Sequence, residues 1–125
     1  MRMIFAGLLL FLTIAQTSCH YGVRDIASVP DNPSYTQDVA PLLRDHCVVC
    51  HGWPPDRGAP PKFRADVYDD TNGIPGVHSY ASTINYYVQT NMMPPGVAAT
   101  DGVGPNGKAM LQKWTDGCQA SDCNY

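Results

Sequence analysis

Apolar residues in this chain form one nearly continuous run and three stretches of helical period, separated by segments in which proline and glycine interrupt any repeat. The run, Ile4 to Ala15, is too short to cross a bilayer comfortably. In the first periodic stretch Val39, Leu42, Leu43 and Cys47 fall on one helical face, with Asp38 placed to cap it and Pro41 in the first turn, where a missing N–H costs little. A second helix is predicted from a cap at Ser79 to about Thr90, with Ala81, Ile84 and Val88 inward and Tyr87 beside them. The third begins at Asn106 or Gly107 and ends at Gly117, with Met110, Leu111 and Trp114 as its apolar face. Only Phe63 to Tyr68 alternates, as a short strand or a packed extended segment, amid Pro54-Pro55, Gly58, Pro60-Pro61, Asn72-Gly73 and Pro75-Gly76. The expectation is an all-α chain of three or more short helices joined by long irregular loops. At 125 residues it forms one domain.

The first run, with Arg2 ahead of it, reads as an export signal over residues 1–18. Thr17-Ser18-Cys19 resembles the cleavage region of bacterial lipoproteins, which implies a lipid on Cys19 and membrane association through it. A cut after Thr13-Ile14-Ala15, leaving Gln16 first, is the other reading. Residues 19–34 carry Gly, Pro, Asn and Ser without periodicity and read as a flexible tether, and residues 35–125 form the domain.

All eleven acidic residues are aspartates. Without Arg2, seven basic side chains remain against them, a net charge of minus four with no basic cluster, which argues against a nucleic-acid partner. The short apolar faces are small for a self-sufficient core, so a chain of this kind needs a staple.

Cys47-Val48-Val49-Cys50-His51 supplies a candidate, because C-x-x-C-H is the pattern of covalent haem attachment. Thiols about one helical turn apart can both form thioethers to the vinyl groups along one haem edge, and the adjacent His51 is then delivered to the iron as proximal ligand. A redox dithiol would call for strand-helix alternation, and a zinc site for further Cys or His at ligand spacing; the sequence offers neither. His46 and His78 read as surface histidines rather than ligands. Trp53 and Arg64 are donors suited to a haem propionate, or equally a packing aromatic and a solvated cation. No nucleophile with an adjacent base and no phosphate loop is present, so any chemistry belongs to the cofactor.

Ser34-Tyr35-Thr36-Gln37-Asp38-Val39-Ala40-Pro41-Leu42-Leu43 leading into the motif, then Met93-Pro94-Pro95 and Leu111-Gln112-Lys113-Trp114, resembles the exported mono-haem cytochromes c of bacteria over about residues 34–117. The resemblance implies a class I cytochrome c-like fold wrapped around one haem c, a last helix crossing the first near the haem, and a methionine from a later loop as sixth ligand. Met93, directly before the prolines, is the expected ligand and Met92 a continuation of the preceding inward face. It further implies a monomeric electron carrier rather than an enzyme, serving redox partner proteins in the cell envelope. The competing functions are a catalytic or gas-sensing haem protein with an open sixth site, and a haem-stapled surface interaction module. In an oxidising compartment Cys118 and Cys123 are expected to form a small disulfide, the alternative being free or intermolecular thiols.

Overall fold

The computed structural model describes residues 25–94, 102–120, 123 and 125. The expected export signal, Cys19 and the first part of the tether lie outside them. Among the described residues there are four α-helices and no strand, as an all-α reading requires: α1 (Ala40–His46), α2 (Val48–His51), α3 (Val77–Gln89) and α4 (Pro105–Ala120). A π-helical turn, Tyr35–Val39, leads without a break into α1.

Ser34, not Asp38, is the N-cap of this first unit. The Gln37 N–H donates to Ser34 Oγ at 3.2 Å, while Asp38 sits inside the turn and accepts the Ser34 N–H at 2.8 Å. This is a capping box with the acid one position later than usual.

Helices α3 and α4 each begin earlier than their sequence signals: the Val77 and His78 N–H groups opening α3 donate to the Val67 and Tyr68 carbonyls, each at 3.0 Å, with Asp70 fixing the cap residue, and α4 takes its cap from a distant aspartate. The Asp70 carboxylate accepts the Gly76 N–H at 2.9 Å, and a hydrogen bond from the Ser79 hydroxyl is the larger cause holding its pKa below the ordinary value. Gly76 is required there: a Cβ would collide with the carbonyls of Tyr68 and Asp69. A carboxyl whose pKa is depressed on folding contributes stability above its unfolded value, and that contribution is lost as pH falls through the folded value. Asp70→Asn is therefore expected to flatten the acid limb of stability, read as the difference in thermal midpoint between variant and parent from about pH 5 down to pH 2.

Asp25 caps α4 across some 80 residues of chain, its carboxylate oxygens accepting the Asn106 N–H at 3.1 Å and the Gly107 N–H at 3.0 Å. The rest of the N-terminal arm follows along the same helix. Asn106 Nδ2 donates to the Ile26 carbonyl at 2.9 Å, Lys113 Nζ donates to the Pro30 carbonyl at 3.0 Å, and Ile26 and Val29 pack against the core. The described part of the expected tether is thus held against the domain by isolated polar contacts that leave no period in the sequence. Replacing Asp25 with alanine is expected to cost about 1 kcal/mol, the usual worth of an N-cap, measurable by denaturant unfolding.

The core gathers Val39, Leu42 and Leu43, then Val77, Ala81, Ile84 and Val88 of α3, and Met110, Leu111 and Trp114 of α4. Tyr35 joins it, its ring 6.2 Å from that of Trp114. Helix α4 comes close to α1 at Gly107, where a Cβ would lie 3.1 Å from Leu42 Cδ1 and 2.7 Å from Val103 Cγ1. Cys118 and Cys123 stand at bonding distance, 2.07 Å between sulfurs, which ties the end of α4 to residue 123 in the core.

Candidate haem-attachment site

Helix α1 stops at His46, and Cys47 turns the chain into the single-turn helix α2 with φ −118° and ψ −41°. The Cys50 and His51 N–H groups both donate to the Cys47 carbonyl, at 3.1 and 2.8 Å. That geometry sets the two cysteines one turn apart with His51 directly after them, as the spacing predicts. Both thiols are free and half-buried.

Cys47, His51 and Met93 line one cleft of about 280 Å³. Its lining is mostly apolar, Phe63 together with Tyr80, Ile84, Tyr87 and Val88 of α3, and Lys62 is the one charged residue among the described lining residues. Burial, with Cys50 nearby as a lesser cause, pushes the Cys47 thiol up to about 12, so it is held protonated. Burial also lowers the His51 pKa, which favours the neutral imidazole, the form that ligates a metal.

The loop after the motif folds back onto it. The Asp56 N–H donates to the Cys50 carbonyl at 3.1 Å and the Ala65 N–H to the His51 carbonyl at 2.8 Å. The second bond brings Phe63 against His51, with ring centroids 4.7 Å apart, and Phe63 in turn stacks on Tyr80 at 5.1 Å. The segment Phe63 to Tyr68 is neither the expected strand nor an extended segment but a packed strap that turns at Ala65-Asp66, its Arg64 N–H donating to the Pro75 carbonyl and its Val67 and Tyr68 carbonyls accepting from the start of α3.

Helix α3 ends in a Schellman motif. The Met92 N–H donates to the Tyr87 carbonyl at 2.9 Å and the Asn91 N–H to Val88 at 3.2 Å, around a left-handed Asn91 with φ 57°. Met92 therefore does not continue the inward face of α3, as its spacing predicted. The chain has reversed, Met92 is 52% exposed, and Met93 is the methionine on the cleft.

His46 borders a different groove, of about 340 Å³, between the N-terminal arm and the first helix, together with Asp25, Asp38 and Asp45. His78 is stacked on Tyr68 at 5.1 Å. Trp53 and Arg64 do not line the cleft. Arg64 donates both Nε and Nη2 to the Asp66 carboxylate and lies 5.8 Å over the Trp53 ring, so these two groups already serve one another. Phe63, Tyr80 and Lys62 are cleft residues that periodicity does not mark. Among the described residues no group of three or more His, Cys, Asp or Glu could hold a metal ion, and no helix is long and apolar enough to cross a membrane. No protein-family model, curated protein or solved structure matches this chain.

Proposed function

We propose that this chain is a mono-haem c-type cytochrome that carries electrons between partner proteins in the bacterial cell envelope. The observation that carries the reading is the shared cleft: Cys47, His51 and Met93 border one mostly apolar space, with Cys50 one turn from Cys47. Cys47 and Cys50 would hold the haem as thioethers, His51 and Met93 would ligate its iron, and Lys62 of the cleft lining would offer a positive charge to a propionate. When bound, the haem supplies a one-electron couple whose potential a methionine ligand raises. The mostly apolar lining suits a haem face, and with His51 and Met93 both held to the iron the chemistry it would supply is one-electron transfer. The approach of α4 to α1 at Gly107 supports the reading of a fold in which the last helix passes near the first. A spectroelectrochemical titration of the loaded protein tests the function: a single low-spin, one-electron transition supports it. A high-spin ferric spectrum with fast carbon monoxide binding would favour a catalytic or gas-sensing role instead.

The same reading places the protein outside the cytoplasm, anchored by lipid on Cys19. The parent is expected in the detergent-rich phase on phase partition and Cys19→Ala in the aqueous phase. An intact mass beginning at an unmodified Gln16 contradicts the anchor.

A further inference from the structure

His51 Nδ1 is buried and has no hydrogen-bond partner. A histidine that ligates a metal ordinarily donates its second ring N–H to a carbonyl or carboxylate, and that bond fixes the plane of the ring. Here the ring instead faces Phe63 at 4.7 Å and 31° between planes, and Phe63 lies parallel to Tyr80, 7° apart at 5.1 Å. The stack is tied at both ends. Ala65 N–H holds the strap carrying Phe63 to the His51 carbonyl at 2.8 Å, and Tyr80 stands in the first turn of α3, where its N–H bonds to Gly76. We infer that Phe63, backed by Tyr80, is a positioning residue for His51, its ring face setting the plane of the imidazole where no hydrogen bond does so. The inference rests on the haem reading only in making that plane the plane of the proximal ligand.

Three ring faces in series hold an orientation that a branched aliphatic side chain of similar bulk cannot, because aromatic pairs carry a preferred geometry as well as buried area. Phe63→Leu keeps the apolar volume and removes the face; Phe63→Tyr keeps the face. Both are to be compared with the parent, first without haem. The His51 ring protons of the parent are expected upfield of a free histidine, through ring current from Phe63. That shift persists in Phe63→Tyr and is lost in Phe63→Leu. In the loaded ferric protein the order and spread of the haem-methyl NMR shifts, which follow the axial imidazole plane, are expected to change in Phe63→Leu and to be restored in Phe63→Tyr. Unchanged His51 shifts in Phe63→Leu overturn the inference whether or not haem binds. A chain that never takes up haem overturns the functional reading while the first comparison still decides the stack. If Phe63→Leu does not fold, Tyr80→Leu takes its place: a partial loss of the upfield shift supports the series of rings, and no loss overturns it.

Discussion

Serine at both Cys47 and Cys50 is expected to abolish covalent haem, so that denaturing electrophoresis shows a chain with no haem stain. Cys50→Ser alone retains one thioether at most. The two thiols flank a single turn whose backbone bonds converge on the Cys47 carbonyl, and no other free cysteine occurs among the described residues. Burial leaves Cys47 a protonated, weakly exposed thiol, suited to a structural bond rather than to exchange chemistry. The double variant should also lose stability, since Phe63, Tyr80 and Ile84 would border a cleft of about 280 Å³ with nothing apolar to cover them. Chymotrypsin sensitivity and the thermal midpoint measure that loss. Covalent haem on the doubly substituted chain would show that the attachment residues are misassigned.

Loss of Met93 is expected to have the second largest effect. Met93→Ala should eliminate the weak long-wavelength sulfur-to-iron absorption band of the ferric protein and lower its reduction potential, because methionine ligation raises the potential. Met92→Ala should leave both nearly as they were. The structural cause is the end of α3: at the left-handed Asn91 the helix closes, Met92 is exposed and Met93 lines the cleft. If Met92→Ala removes the band and Met93→Ala does not, the ligand is Met92. If neither single variant loses the band, the assignment of Met93 fails and the result points to His78 or an open site.

The helical faces were legible because burial in a helix imposes a period, and Leu42, Leu43, Ile84, Val88, Leu111 and Trp114 all sit in the core where that period puts them. Helix starts were not. Ser34, Gly76 and Gly104-Pro105 begin their helices with partners that are displaced by a residue or arrive from elsewhere, and a carboxylate from Asp25 or Asp70 has no local signature. Tyr35 and Val77 entered the core with those added turns. The attachment motif was legible because its chemistry is local, three side chains within five residues. Met93 was reached through resemblance and its place before the prolines, Phe63 only as the start of an alternating segment and Tyr80 not at all, because their place beside His51 depends on one backbone hydrogen bond from Ala65. Arg64 looked like a free donor until its carboxylate partner, two residues on, was in view.

The central claim is the covalent haem, and the most direct test is the intact mass of the purified chain with its pyridine haemochrome spectrum, from a host that has haem-attachment machinery. The account predicts a mass one haem above that of the polypeptide and a c-type spectrum, with both vinyl groups consumed. A polypeptide mass alone, or a b-type spectrum whose haem extracts into acidified acetone, would contradict it.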